Sequence, residues 1–369
     1  MKRPNPVRAL GPWLAASVLV IPLTLSAQTA SPTQESDWRR ANETVGAFKR
    51  GHVDILRWEQ SNLPAEPAQG AQPQVIAVPT MEDAVRRAWL VHRGLAQVQS
   101  RLGLQNVQMI AAGRWVDLDS SLQRQVKDMG ELLEVAVQAR KAWMEAVTAR
   151  QIERHQQTSL EAAQAANELG KRMFTVGNWS RLQQSPVLLA EASARMDLRR
   201  AKLAAAQTQA SLIKLLGLAG LETALDLPDQ LPDVPATALS EVDLQTRAVA
   251  IQGQLPNAEQ LRNKALARSA IGAYLAAHAQ ALDSRDVVLK EREYITEETV
   301  LHYNGMLKSV WDLLAARRSQ AQATADAIGA QRDFWSAETD LQWVLQGGVP
   351  ENFVSLGGGG GKPAAAAGH

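Results

Sequence analysis

The feature that most constrains this chain is a segment that occurs twice, at residues 174–217 and 303–347. Each copy begins with a turn and continues as one helix, and each follows a long helical arm rich in alanine and polar residues. One offset of 129 residues aligns the copies, pairing Gly177 with Met306, Ser180 with Ser309, Leu182 with Trp311 and Leu212 with Leu341. An internal repeat of this size fixes the architecture, and here it predicts one helical hairpin made twice.

The predicted fold class is therefore all-α, with two tandem long helical hairpins. The segments are a signal peptide at 1–27, an irregular region with short helices at 28–80, the first hairpin at 81–218, a proline-rich linker at 219–239, the second hairpin at 240–348 and a disordered low-complexity tail at 349–369. Thr80 is the expected N-cap of a single helix from Met81 to about Gln108. A short strand is expected over Arg114 to Leu118. A further helix is expected from Asn257 to about His302.

Apolar residues recur at heptad spacing on the predicted helices. Spacings of three and four residues, typical of a coiled-coil seam, join Leu132, Val135, Ala139, Ala142, Ala146 and Ala149. Steps of seven join Leu182, Leu189, Met196, Leu203 and Ala210 on one helix, and Leu307, Leu314, Ala321, Ile328 and Trp335 on the other. We interpret the Met and Trp residues on these lines as core residues.

Charge and composition narrow the classes of function. The 39 basic and 38 acidic residues nearly balance, so the chain offers no net basic field for nucleic acid. The absence of cysteine excludes disulfides, thiolate metal sites and cysteine nucleophiles. At the N-terminus, Lys2, Arg3 and Arg8 precede a short apolar run, the pattern of an export signal. We therefore expect an exported protein of the periplasm, with association with the outer membrane left open.

No pattern in the sequence indicates catalysis or a cofactor. Five of the six histidines are His52, His92, His155, His278 and His302, and no two of them are three or four residues apart as a helical metal site requires. The chain also lacks the Gly-x-Ser-x-Gly elbow and the phosphate-binding loop. We expect no enzyme activity, no cofactor and no metal site.

Several motifs, in order along residues 81–348, resemble the outer-membrane efflux proteins typified by TolC. They are Thr80-Met-Glu-Asp-Ala-Val-Arg-Arg-Ala-Trp, Gly177-Asn-Trp-Ser-Arg-Leu, Leu313-Leu-Ala-Ala-Arg and Phe334-Trp-Ser-Ala. The resemblance implies a homotrimer whose hairpins form a hollow α-barrel, topped in the family by a β-barrel. It also implies two partners, a periplasmic adaptor protein and an inner-membrane pump.

The resemblance assigns roles to the two hairpin turns. The adaptor-docking tips would be Gly177, Asn178, Ser180 and Leu182 in the first turn, and Gly305, Met306 and Ser309 in the second. The family's gate falls on Tyr303, Lys308 and Asp312. Two acidic gate positions of the family are Ala315 and Gln183 here, so half of the gate charges are missing. The alternative that the three matching residues are ordinary solvated turn residues stays open.

The chain also departs from the family in the expected membrane part. Residues 240–306 leave no room for two tilted strands of about 9–11 residues each beside the helical arms. Residues 109–122 could hold one short strand. We therefore expect the β-barrel to be absent or vestigial in this TolC-like α-barrel protomer.

The function that the resemblance implies is that of a conduit subunit in a tripartite efflux system. Residues 303–348 are most similar to family members that accompany heavy-metal pumps. The subunit would assemble with itself as a homotrimer or with a full-length relative. The alternative is a periplasmic coiled-coil scaffold or modulator that no longer transports.

Overall fold

The computed structural model describes residues 74–218, 223–350 and 353. The predicted signal peptide, the predicted short helices before residue 74 and most of the predicted C-terminal tail lie outside the described residues. In chain order the elements are β1 (Gln74–Ala77), α1 (Met81–Val91), α2 (Leu95–Leu102), α3 (Leu104–Ala111), a 3-10 turn (Trp115–Asp117), α4 (Leu122–Gln125), α5 (Met129–Thr175), α6 (Arg181–Leu215), β2 (Thr223–Asp226), α7 (Glu241–Gln252), α8 (Asn257–Asp283), a π-helical turn (Ser284–Leu289), α9 (Lys290–Asn304) and α10 (Val310–Val344).

Two long antiparallel hairpins dominate the described residues, as the repeat predicted. In the first hairpin α5 packs against α6, and in the second α8, the π-helical turn and α9 pack together against α10. The 47 residues of α5 make a rod about 70 Å long at 1.5 Å per residue. The helix predicted from Asn257 is also confirmed, because α8, the π-helical turn and α9 follow one another without a gap up to Asn304.

Most of the predicted heptad seam on α5 is buried. Leu132, Val135, Ala139 and Ala146 are buried, and the small alanines allow the neighbouring helix to approach closely. Toward the turn the seam becomes polar, where the buried Asn167 donates a hydrogen bond to Glu191 of α6.

The two hairpins join through α5 and α10 rather than through α6. Two ion pairs cross this junction: Arg140 Nη2 lies 3.1 Å from Glu338 Oε2, and Lys141 Nζ lies 2.6 Å from Asp340 Oδ1. Burial raises the pKa of both carboxyl groups, while the partner cations lower it. The junction therefore contains buried charges, and removing one partner of such an ion pair strongly lowers the stability of the fold.

Side chains of the long helices form hydrogen bonds to the backbone of the linker between the hairpins. The carbonyl of Pro232 accepts hydrogen bonds of 2.8 Å from Gln331 Nε2 and Trp335 Nε1, and that of Pro235 lies 2.8 Å from His278 Nε2. Proline has no N–H, so this segment cannot pair its backbone in a regular element, and its carbonyls need outside donors. The linker thus follows a defined path across α8 and α10.

Residues 81–111 differ from the single helix expected there, and that prediction is wrong. Thr80 does cap α1, its Oγ1 accepting a hydrogen bond of 3.1 Å from the N–H of Asp83. The helix then ends at Val91, and Gly103, with φ of 78°, separates α2 from α3. The glycine permits the break, and burial of α1 against α5 makes it favourable, with Trp89 Nε1 donating to the Leu132 carbonyl.

The strand expected over Arg114 to Leu118 is also wrong. Trp115 instead begins a 3-10 turn, with its side chain buried and its indole N–H donating to the carbonyl of Ile110 at 2.6 Å. Its backbone N–H donates to Gln342 Oε1 of α10, a partner that is distant in sequence. A tertiary contact therefore decides the conformation at this point.

The described residues contain one small parallel sheet. β1 pairs with β2, with Gln74 opposite Thr223 and Ala77 opposite Asp226. β1 lies near the end of the irregular region predicted at 28–80, and β2 lies in the predicted linker. Of the helices in the described ranges, none combines the length and the apolar character needed to cross a membrane.

Candidate functional site

The two hairpin turns have the same backbone hydrogen bonds at the predicted offset. In the first turn the N–H groups of Asn178 and Trp179 donate to the Met173 carbonyl, at 2.9 and 3.1 Å. In the second turn Leu307 and Lys308 donate to the His302 carbonyl, at 2.8 and 3.3 Å. The repeat read from the sequence is thus a repeat of backbone geometry.

One position in each turn adopts the left-handed conformation. It is Gly177 in the first turn, with φ of 80°, and Met306 in the second, with φ of 62°. The glycine of the second turn, Gly305, has φ of −79° and does not take this place. A left-handed residue with a Cβ costs roughly 1–2 kcal/mol, so the second turn carries a strain that the first avoids.

Both return helices begin with a capping box. Ser180 Oγ accepts from the Gln183 N–H at 3.3 Å while Gln183 Oε1 accepts from the Ser180 N–H at 2.8 Å. In the second turn Ser309 and Asp312 make the same exchange, at 3.2 and 2.9 Å. The hydrogen bonds from Ser309, aided by the charge of Lys308, lower the pKa of Asp312. Asp312 therefore has a structural role at the helix start that the sequence reasoning missed, although the Ser-x-x-Asp spacing signals it.

We predict that the second turn, but not the first, loosens in acid. A carboxyl group with a lowered pKa in the folded protein stabilises the fold above its ordinary pKa, and this contribution is lost as the pH falls through the lowered value. Protonated Asp312 is a poorer acceptor, whereas Gln183 does not titrate. Amide hydrogen exchange of residues 306–309, corrected for the intrinsic rate at each pH, should accelerate in acid relative to residues 177–180.

Two variants test this prediction. Asp312→Gln should remove the difference in pH dependence between the turns. Ser180→Ala should weaken the first turn by about 1 kcal/mol at every pH. Equal acid sensitivity of both turns in the unmodified chain would contradict the assignment.

The residues predicted as adaptor-docking tips all lie exposed at the two turns. They are Gly177, Asn178, Ser180, Leu182, Gly305, Met306 and Ser309. The predicted gate residues Tyr303, Lys308 and Asp312 are exposed as well, and no hydrogen bond or ion pair within the described part of the chain joins these three side chains. Their role as a gate stays a prediction.

A pair of tryptophans connects the two turns. Trp179 stacks on Trp311 of α10, with ring centroids 4.7 Å apart and an angle of 27° between the planes. Gly170 of α5 makes room for Trp179, since a Cβ at that position would lie 3.1 Å from the indole ring. The stack holds the two turns side by side, and no sequence signal links these positions because they are not equivalent in the repeat.

The line of apolar residues at steps of seven on α6 is exposed, so the interpretation of Met196 as a core residue is wrong. Leu182 is 82% exposed and Met196 is 54% exposed, and Leu189 and Leu203 are exposed as well. The opposite face of α6 buries Val187, Leu198, Ala201 and Leu212 in the first hairpin. Leu182, Leu189, Met196 and Leu203 are called the α6 stripe below.

A second exposed apolar line runs from the π-helical turn into α9. Val287, Tyr294 and Leu301 follow one another at steps of seven and are all exposed; they are called the α9 stripe below. Of the line that leads into α10, Leu307 in the turn is exposed and Ile328 is buried, so this line reaches the core only away from the turn. The sequence showed the period of these lines, but not which of them lacks a partner within one chain.

No group of three or more potential metal ligands occurs in the parts of the chain that the structure describes.

Comparison with known proteins finds similarity among solved structures. No protein-family model and no curated protein sequence matches this chain. A membrane protein from Pseudomonas aeruginosa matches at 11% identity, with 65% of this chain and 74% of that chain covered and a TM-score of 0.48. The CmeC outer membrane channel of Campylobacter jejuni matches at 13% identity, with 65% and 67% covered and a TM-score of 0.47.

The outer membrane protein VceC of Vibrio cholerae matches at 14% identity, with 65% of this chain and 76% of that chain covered and a TM-score of 0.45. One of the solved structures that match this chain is thus an outer membrane channel.

Proposed function

We propose that this protein is a TolC-like conduit subunit that assembles side by side with further copies into a hollow helical tube for efflux. The observation that carries the proposal is the pair of outward-facing apolar stripes. The hairpins of one chain pack through α5 and α10, which leaves the α6 stripe on one outer side and the α9 stripe on the other. Contiguous exposed apolar residues of this kind mark an interaction surface.

The two stripes match in height along the rods. Leu182, Leu189 and Met196 follow Gly177 by the same numbers of residues as Leu301, Tyr294 and Val287 precede Met306. Two copies standing at the same level would therefore bring the members of the stripes together pair by pair. Such a contact joins two different surfaces, so repeating it gives a ring when the rotation between copies closes and an open filament when it does not.

Charge supports the same pairing. Residues 181–215 of α6 carry six basic and two acidic residues, whereas α9 carries two basic and four acidic residues. The acidic residues of α9 are Glu291, Glu293, Glu297 and Glu298. Complementary charge beside an apolar seam sets partner choice and orientation in packed helices.

The finer assignments follow from the sequence resemblance and extend the proposal. The ring would be a homotrimer, or a ring mixed with a full-length relative, in the periplasm and associated with the outer membrane. Its exposed turns would dock a periplasmic adaptor that connects to an inner-membrane pump of the heavy-metal type. The protein would act by binding and channelling, without enzymatic chemistry.

Cysteine crosslinking tests the assembly sharply because the chain has no cysteine of its own. A variant with Leu189→Cys and Tyr294→Cys places one thiol in each stripe at the same height. We expect a short bis-maleimide to give a covalent ladder that ends at three copies. A mixture of the two single variants should give only dimers that contain one of each.

The matched control combines Tyr294→Cys with Arg101→Cys, which places a thiol on the exposed side of α2. This variant should yield far less crosslinked product. A purified chain that stays monomeric, or a ladder without an end, would contradict the closed ring. Electron microscopy of the crosslinked particle should show a hollow centre.

One observation favours the alternative of a coiled-coil scaffold that no longer transports. Asp312, the acidic residue at the predicted gate, is engaged in a capping box with Ser309, and half of the family's gate charges are absent. A scaffold would crosslink in the same way, but its removal from cells would leave tolerance to exported metals and drugs unchanged. A conduit predicts loss of tolerance.

A further inference from the structure

The three short helices α1, α2 and α3 lead to the end of the rods that is opposite to the hairpin turns. The Val78 carbonyl, just before α1, accepts a hydrogen bond from Trp143 of α5. Near the end of α1, Trp89 donates to the carbonyl of Leu132, which lies in the first turn of α5. α1 therefore runs antiparallel to α5 and ends where α5 begins.

α2 and α3 stay at this end of the molecule. The 3-10 turn that follows α3 is bonded to the last turns of α10. The Trp115 N–H donates to Gln342 Oε1 at 2.6 Å, and Gln346 Nε2 donates to the Trp115 carbonyl at 2.7 Å. α2 and α3 thus connect the start of α5 with the end of α10.

Leucine and arginine side chains are exposed along α2 and at its two ends. The inner side of α2 buries Leu95, Val98 and Leu102. Arg101 lies exposed on α2 and Arg93 just before it, while Leu90 and Leu104 on either side of α2 are 81% and 73% exposed. Leu90, Arg93, Arg101 and Leu104 are called the α2 surface below. One exposed leucine is ordinary, whereas apolar residues grouped with polar ones indicate an interaction surface.

The α2 surface carries positive charge that nearby acidic residues do not balance. Residues 84–116 contain five arginines and no aspartate or glutamate. Because the whole chain is nearly balanced, the rest of it is net acidic. Arg93 and Arg101 have no hydrogen bond or ion pair to any residue that the structure describes. The charge of this surface therefore indicates an anionic partner.

The start of α8 adds residues of the same kind at this end. Asn263 Nδ2 donates at 3.1 Å to the carbonyl of Val344, the last residue of α10. Beside Asn263, Leu261 is 80% exposed, and Arg262 and Lys264 are exposed as well. Residues 257–268 contain three basic residues and one acidic residue. Both hairpins thus present exposed leucine with an excess of cations at the same end.

We propose that the α2 surface docks on a bilayer of anionic phospholipids. The exposed leucines enter the boundary of the acyl chains, where burial of apolar area drives binding, and the arginines reach the phosphates of the headgroups. Arginine suits this place because its guanidinium binds phosphate through paired hydrogen bonds while its stem packs on apolar surface. The surface belongs to one chain, so the inference does not rest on the proposed ring. The crosslinking test of the ring and the lipid tests below have separate outcomes.

Sedimentation with vesicles tests the proposal. The purified chain, without its predicted signal peptide, is mixed with vesicles of phosphatidylcholine alone or of phosphatidylcholine with an equal share of phosphatidylglycerol. We expect binding to the anionic vesicles only, and added salt should weaken it. A double variant with Arg93→Gln and Arg101→Gln should bind at least about tenfold more weakly, since each basic residue near an anionic surface contributes about 1 kcal/mol. The matched control, Arg199→Gln with Arg318→Gln, removes the same charge from exposed positions on α6 and α10 and should bind like the unmodified chain.

A fluorescent probe shows which end of the chain enters the lipid. Because the chain has no cysteine, a polarity-sensitive dye can be attached to a Leu104→Cys variant or, as the control, to a Met306→Cys variant. Met306 is 93% exposed and lies in a hairpin turn, at the opposite end of the rods. We expect anionic vesicles to shift the emission at residue 104 to the blue and to leave the emission at residue 306 unchanged.

Three results would overturn the proposal. A chain that binds neither kind of vesicle would leave the α2 surface to an acidic protein instead of a membrane. Undiminished binding after the loss of both arginines would place the lipid contact elsewhere. A blue shift at residue 306 without one at residue 104 would assign the contact to the hairpin turns.

Discussion

Replacing Arg140 by leucine should lower the free energy of unfolding by about 3–5 kcal/mol, because it leaves the buried Glu338 carboxylate without its counter-charge. Arg140 and Glu338 have side chains only 4% and 12% exposed, so water cannot take the place of the lost partner. The effect should appear in urea denaturation as a lower midpoint.

The same variant should depend on pH in a defined direction. Burial already raises the pKa of Glu338, and Arg140 opposes that rise. Without Arg140 the pKa rises further, so the folded state binds a proton more readily than the unfolded state. A carboxyl group of this kind stabilises the fold below its ordinary pKa, and the contribution is lost as the pH rises through the raised value. The variant should therefore recover stability relative to the unmodified chain as the solution is made acidic.

Two controls separate the lost ion pair from a simple loss of packing. Replacing both Arg140 and Glu338 by leucine should cost much less than the single change, because no unpaired charge remains. Arg172→Leu breaks the exposed pair with Glu168 and should change the stability by less than about 1 kcal/mol. A single variant as stable as the unmodified chain would show that the pair does not hold the hairpins together.

Replacing Phe334 by alanine should lower the free energy of unfolding by about 3–5 kcal/mol, the cost of emptying a buried aromatic site. Phe334 is 1% exposed and lies where α10 crosses α8, with its ring 5.5 Å from His278 and 5.7 Å from Tyr274. Those two residues also hold the linker, through the Pro235 carbonyl and the Leu239 N–H. The loss should therefore extend to the path of the linker.

Hydrogen exchange and urea denaturation together check this expectation. Exchange at Leu239 should accelerate in the Phe334→Ala variant, since its N–H donates to a Tyr274 ring that has lost its neighbour. The matched control is Phe174→Ala at the first hairpin turn, where the ring is exposed and the change should be within about 0.5 kcal/mol. Similar losses in the two variants would contradict the placement of the core at the junction.

The conformation of the hairpin turns could be predicted from local sequence. The left-handed position at Gly177 and the Ser180 cap are encoded by neighbouring residues, and the second turn repeats their geometry at the same offset. The helix predicted from Met81 failed for the opposite reason. Gly103 permits a break in this stretch, but it is the packing of α1 against α5 that makes separate short helices the better solution.

The candidate sites also include some features that the sequence predicted and others that it could not. The tip residues could be named from the sequence because a turn between two long helices must be exposed. The stack of Trp179 on Trp311 and the pairing of Arg140 with Glu338 could not, since each joins residues more than a hundred positions apart with no shared pattern. The sequence showed the seven-residue period of the α6 stripe. The same period occurs on a buried helix face and on an exposed face that packs against another chain, so it could not tell which of the two this one is.

By itself, the sequence determined the two hairpins, their turns and their caps, because helix period, capping and turn preferences act between residues a few positions apart. Only the tertiary structure decided which helices pack together, where charges are buried and which apolar lines stay exposed on the single chain. Those outcomes depend on how α5 and α10 pack, and packing is a property of distant residues brought into contact.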